Sequence, residues 1–332
     1  MRWDLRGMGW HMIRSVFWSF FIIVAFISPF FGAISIDVTQ LLMANSLDAQ
    51  IFFELRLPRL IFTLGAGASL ALSGLLFQTL FRNALMTPYT LGISSGAVLG
   101  AGIAIKLGLS SLLFGLSAIS LFGFFGAVVT VFLLLYLSQF LKSSQQESLL
   151  LLGIALSLFY TSALMVVFYL GSSVQNDMLI RFTMGSLSII GWRSPIVLGV
   201  VTLLLLMVSY LYRYELQLLS ISEESARLKG VKSRSVMVTL LLFSSLAIGV
   251  LVSISGPIGF VGLIIPHIIT KLYPISVEKR VVKTAIFGGL FLVLCDTVAR
   301  VVQTQSELPI GIVTAIIGAP FFIYLIISRS AS

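Results

Sequence analysis

Charge is scarce in this sequence: only 10% of its 332 residues are Asp, Glu, Lys or Arg, against about 25% in a soluble domain. With 58% hydrophobic residues and a mean hydropathy of +1.09, the chain has too little polar surface to cover a core in water. Its solvent is lipid. Cysteine is scarcer still. Cys295 stands alone, which excludes an internal disulfide and any Cys-based zinc or iron–sulfur site. Of the two histidines, His11 lies in the N-terminal tail and His267 has no second His at ligand spacing, so no metal site is expected. No G-x-x-x-x-G-K-[ST] occurs, so the chain does not bind ATP through a Walker loop. Strand-type alternation is missing, which excludes a porin-like barrel. Nothing resembles a second domain, and 1–332 reads as a single transmembrane domain.

What the chain has instead is long apolar runs. A hydrocarbon core of about 30 Å needs about 20 helical residues, and in lipid every backbone amide needs an internal partner, which leaves helices. The fold class is therefore all-α integral membrane, with spans expected at 14–33, 58–80, 89–106, 111–138, 147–170, 192–212, 235–254, 257–273, 281–301 and 309–328. The apolar run Ser15–Gly32 behind Arg2, Arg6 and Arg14 imitates a signal peptide, but it is long enough to span and reads as an uncleaved first helix. The 171–191 segment suits a short helix at the membrane surface. Pro58, Pro88, Pro257 and Pro309 fall where first turns are expected, and Pro266 should kink its helix.

An even count of spans puts both termini on one side. With those termini cytoplasmic, fifteen basic residues face in and six face out, which sets the orientation. The same bias accounts for the net charge of +9: the basic residues sit in scattered loops, not on one face, so nucleic acid is not an expected partner.

Several polar or small-residue features interrupt the apolar background. Gly92, Gly96 and Gly100 recur every four residues and should line one face of the third helix, where small residues let helices approach closely and slide as rigid pieces. Gly65, Ser69 and Ser73 repeat the device in the second span, and Gly311, Ala315 and Ala319 in the last. Between the sixth and seventh spans, Ser220-Ile221-Ser222-Glu223 fits a capping box. Glu223 and Glu224 follow in the first turn, Arg227 and Lys229 in the last, and Gly230 at the stop, which predicts a surface helix over 221–229 suited to docking. Arg56, Arg59 and Arg300 run against the orientation bias on the external side. Snorkelling to headgroups and docking of an acidic partner both explain them. Asp296 lies inside the ninth span at i, i+4 from Arg300, so a local pair is the plain reading and an ion-coupling role the sharper one. Gly92-Ile93-Ser94-Ser95-Gly96 matches G-x-S-x-G, but at the start of an apolar helix, without the strand–turn–helix that the motif needs.

Within Arg56 to Gly102, the run RLPRLIFTLGAGASLALSGLLFQTLFRNALMTPYTLGISSGAVLGA closely resembles the FecCD-type permeases, and the likeness continues through SEESARLKGV, SGPIGFVGLIIPH and ELPIGIVTAIIGAPFFIYLI. These are membrane subunits of bacterial ABC importers for iron–siderophore complexes, haem and vitamin B12. The resemblance implies the ABC type II importer permease fold, with ten helices and both termini cytoplasmic. It also implies a second permease subunit, identical or paralogous, an ATPase dimer that binds the ATP, and an extracytoplasmic binding protein. By matching position, Arg56, Arg59 and Arg300 look like the arginines that meet acidic residues of the binding protein. Ser222, Glu223, Ala226, Arg227 and Gly230 look like the coupling helix seated in the ATPase. Asn83 and Leu85 look like a cytoplasmic gate, with Ser143 and Ser144 in its second loop. Family members often read FRNPLADP where this chain has FRNALMTP at 81–88. An iron complex is the expected cargo, with vitamin B12 or another metal chelate as the alternative within the family. An ion-coupled secondary transporter is the alternative from another class.

Overall fold

The computed structural model describes residues 18–32, 37, 39, 46–109, 112–113, 116–140, 145–302 and 307–330. Six helices are long and apolar enough to cross a bilayer: α2 (Leu47–Leu80), α4 (Ala118–Ser138), α5 (Gln145–Leu170), α7 (Arg193–Leu211), α10 (Ser233–Ser255) and α12 (Val277–Val301). Four further helices with shorter apolar stretches, α1 (Trp18–Phe30), α3 (Ile93–Lys106), α11 (Val261–Leu272) and α13 (Ile310–Ser330, apolar over Ile310–Tyr324), fall at the remaining expected spans. The connections hold α6 (Ser173–Met184), α8 (Arg213–Ile221) and α9 (Glu223–Leu228). The expected surface helix in 171–191 is α6, capped by a reciprocal Ser172–Gln175 box.

α3, α4 and α11 start later than expected, each for a local reason, whereas α2 and α12 start earlier, at Leu47 rather than 58 and at Val277 rather than 281. α3 begins at Ile93 rather than 89 because Gly92 takes a left-handed conformation (φ 78°) that only glycine adopts freely. α4 begins at Ala118 because Leu112–Leu113 pairs with Leu116–Ser117 in a small antiparallel hairpin, and the Ser117 hydroxyl then caps the helix. α11 begins at Val261, so Pro257 lies in the extended link after α10. Pro88 and Pro309 likewise precede their helices, and Pro58 lies inside α2 rather than in a first turn. It follows a π turn over Ile51–Arg56 inside α2, and this wider turn offsets the missing proline N–H.

α2 is the axis of the bundle, with 78% of its most apolar stretch buried. Its small residues face three neighbours. A side chain at Gly67 would fall on the backbone of Gly288 in α12, and one at Gly74 on Gly262 in α11. Ser69 shares a hydroxyl hydrogen bond of 2.8 Å with Thr202 in α7, beside Gly65. Lipid supplies no hydrophobic drive between helices, so such close backbone contact is what holds them. The expected ladder in α3 is split. Gly96 and Gly100 pack on Gly126 and Phe122 of α4, but Gly92 stands outside the helix and faces Gly153 and Ser157 of α5. At the periphery α5 is only 11% buried over its most apolar stretch and presents Leu151, Leu158 and Phe159 outward.

Candidate functional site: an arginine end and a connector end

At one end of the bundle the Arg56–Arg59 stretch of α2, the end of α12, the extended 185–190 segment and the approach to α13 converge. Asp296 is the centre. Arg59 donates to its Oδ1 from Nε (3.1 Å) and Nη2 (2.8 Å), and the Arg300 Nε lies 3.1 Å from Oδ2. The expected i, i+4 pair is therefore present, with a second arginine that the local spacing did not suggest. Arg59 Nη1 turns the other way and donates to both carboxylate oxygens of Glu307 at 2.8 Å. Ser188 Oγ donates to the same carboxylate at 2.9 Å. Arg300 also donates to Ser28 Oγ (2.6 Å) and the Phe31 carbonyl (2.8 Å), and Arg56 donates to the Pro29 carbonyl (2.8 Å). The three arginines singled out in the sequence thus gather in one place. Arg56 and Arg300 are buried and anchor the end of α1, whereas Arg59 opens onto a cavity of about 400 Å³ lined by Arg181, Ser186, Ser188, Asp296 and Glu307. Burial pushes the Glu307 carboxyl up, but the adjacent Arg59 charge and the hydrogen bonds from Arg59 and Ser188 outweigh it and hold the group below the usual carboxylate range. Sequence reasoning passed over Glu307 and Ser188. Glu307 lies in the ELPIG run, and an acid in so acid-poor a chain was the available signal.

The opposite end carries the connectors. α9 begins at Glu223, not at the expected 221. Ser222 is its cap, accepting from Ser225 N at 2.9 Å, whereas Ser220 lies in the last turn of α8 and donates to the Gln217 carbonyl at 2.7 Å. Gly230 (φ 79°) follows the stop. Glu223, Glu224, Arg227 and Leu228 are exposed; Ala226 is fully buried, so its small side chain serves packing within this chain. The preceding helix α8 was not anticipated. It buries Leu216 and Leu219, and Gln217 Oε1 accepts from Val277 N (2.6 Å) at the first turn of α12. Between α2 and α3, Asn83 Oδ1 accepts from Leu85 N at 3.0 Å, forming a side-chain-closed turn whose tip, Leu85, is 43% exposed. Ser143 and Ser144 lie outside the described residues.

Comparison with known families matches residues 20–328 to the FecCD transport family. The chain belongs to that family. It is 34% identical over 276 residues to a permease protein assigned to an iron chelatin transport system in Helicobacter pylori, covering 83% of this chain and 82% of that one. It is 33% identical over 311 residues to the hemin transport system permease protein HmuU of Yersinia pestis, covering 93% of each. Among solved structures it matches an inward-facing structure assigned to a metal-chelate type ABC transporter, with a TM-score of 0.83 and 32% identity over 93% of this chain and 96% of that one. This FecCD-family chain is a multi-pass membrane permease subunit of an ABC importer, with the type II importer fold. Permeases of this kind lack catalytic residues, and the ATPase activity resides on a separate subunit. The geometry agrees. Ser94 of the G-x-S-x-G run is buried in the first turn of α3, not on a strand-to-helix turn. Asp296, the intramembrane carboxylate that an ion-coupled carrier would need, is held between two guanidinium groups.

Proposed function

We propose that this permease carries an iron complex, a siderophore chelate or haem, across the bacterial cytoplasmic membrane. In this reading it pairs with a second permease subunit, an ATPase dimer sits at the connector end and a substrate-binding protein at the arginine end. The relatives named for hemin and iron chelatin support the cargo. The basic bias of the loops supports cytoplasmic termini and a cytoplasmic connector end. The observation that carries the ATPase contact is α9: a capped helix at the bundle end that exposes Glu223, Glu224, Arg227 and Leu228 and is anchored inward by Ala226. Asn83 and Leu85, in the tight loop between α2 and α3, are proposed as part of the gate.

On the external side, Arg59 and its cavity form the docking point for an acidic side chain of the binding protein. Arg56 and Arg300 brace that site from within. ATP binding closes the ATPase dimer against α9, and the two permeases rock between outward-open and inward-open states. Proteoliposomes holding this permease with the ATPase and binding protein encoded beside it should take up a radiolabelled iron–siderophore or hemin only with ATP. Preference for vitamin B12 would move the cargo to the alternative. No ATP-dependent uptake of any of the three would overturn the reading.

A further inference from the structure

At the arginine end Arg59 and Arg300 share Asp296, Glu307 pairs with Arg59, and Arg181 adds a cation on the cavity wall. The two carboxylates also differ in kind. Asp296 is 3% exposed, rigid in the last turns of α12, and meets an arginine with each oxygen. Glu307 is 41% exposed, lies outside any helix just ahead of α13, and holds Arg59 by Nη1 alone. Because Nε and Nη2 of Arg59 are committed to Asp296, Nη1 is the part of the guanidinium that an incoming carboxylate meets.

We propose that Glu307 is a built-in competitor: it occupies the place on Arg59 that an acidic side chain of the binding protein takes on docking, and the exchange frees the segment that leads into α13. This inference rests on the docking role of Arg59 proposed above. The exchange replaces one carboxylate with another, so no buried cation is stranded when the partner arrives or leaves. It also gives docking a mechanical consequence. Glu307 ties the approach to α13 both to α2, through Arg59, and to the 185–190 segment, through Ser188. Losing both ties at once releases two elements at the mouth of the bundle. No proton is required, because Glu307 remains ionised until it is displaced.

The test is binding of the substrate-binding protein encoded beside this gene to the intact permease–ATPase complex in nanodiscs, with ATPase rates measured in parallel. Glu307→Gln keeps the shape and removes the competing charge. It should tighten the dissociation constant by about fivefold, the scale of a partly exposed pair, and raise basal ATPase activity toward the stimulated rate. Glu307→Asp should return both toward the wild-type values. Arg59→Lys keeps a cation beside Asp296 and should weaken docking. If Arg59→Lys weakens docking but Glu307→Gln leaves it unchanged or weaker, the exchange is wrong and the docking role stands. If Arg59→Lys leaves docking unchanged, the docking role is wrong and the exchange goes with it. If Glu307→Asp behaves like Glu307→Gln, the competitor is not the charge and the exchange is again wrong. Unfolding temperatures of the three complexes separate these outcomes from misfolding.

Discussion

The two ends of this permease treat charge in opposite ways. At the arginine end, cations and carboxylates are turned inward and tied to one another and to backbone carbonyls. At the connector end, Glu223, Glu224 and Arg227 stand exposed, and among the described residues none of them makes an ion pair. Buried and paired charge fixes shape, because undoing it strands an ion in a low-dielectric interior. Exposed charge on a capped helix fixes little within the chain and is available to a partner. One helix joins the two regimes. α12 starts on the Gln217 hydrogen bond and ends at Asp296 and Arg300. Its 25 residues span roughly 37 Å. It packs along α2 through the Gly67–Gly288 contact.

Asp296→Asn is the most damaging way to break this contrast. It leaves Arg59 and Arg300 beside a neutral amide, and the expected loss is about 3–5 kcal/mol of stability. The check is thermal unfolding of the purified complex; an unchanged transition would mean that the arginine end is not held by its charges. Gly67→Leu comes next, because the new side chain meets backbone at Gly288, and Ala226→Leu overfills a closed site at the other end. Each should cost about 1–3 kcal/mol, read in the same melts. Arg227→Glu with Leu228→Glu alters only exposed positions. Stability should move by less than about 0.5 kcal/mol, while co-purification of the ATPase and ATP-driven uptake are lost. If Ala226→Leu spares the fold and the exposed pair destroys it, the two surfaces of α9 have been assigned the wrong way round.

The sequence carried much of this and missed the rest for identifiable reasons. The apolar helices and their order were legible because apolar length is a one-dimensional property, although six of them are long and apolar enough to cross a bilayer. Helix starts at Ile93, Ala118 and Val261 were not, since each is set by a local backbone feature that hydropathy does not register: the left-handed Gly92, the 112–117 hairpin and the extended link through Pro257. Arg56, Arg59 and Arg300 were legible as a group because basic residues on that side break a charge bias. Their partners were not, because Arg59 meets Asp296 across 237 positions and Glu307 across 248, distances that no local spacing rule covers. Ala226 shows the converse. Its position in the short capped helix was legible, but its direction was not: a six-residue helix has one buried face, and only the packed structure shows which face that is.

The smallest expected effect sharpens the contrast from the acid side. Glu307 is held below its ordinary value in the folded protein, so its pairing adds stability at pH values above the unfolded carboxylate pKa of about 4.3. That contribution is lost only as pH falls through the lower, folded value. Between about pH 7.5 and about pH 5.5 the unfolding temperature of the complex should therefore show no step that depends on Glu307, and a difference between wild type and Glu307→Gln should stay constant across that range. A wild-type step near neutrality that Glu307→Gln abolishes would mean that the carboxylate titrates in place and lets go of Arg59 by taking up a proton. A flat profile leaves competition from another carboxylate as the way to open this end, and that requires the partner to arrive first.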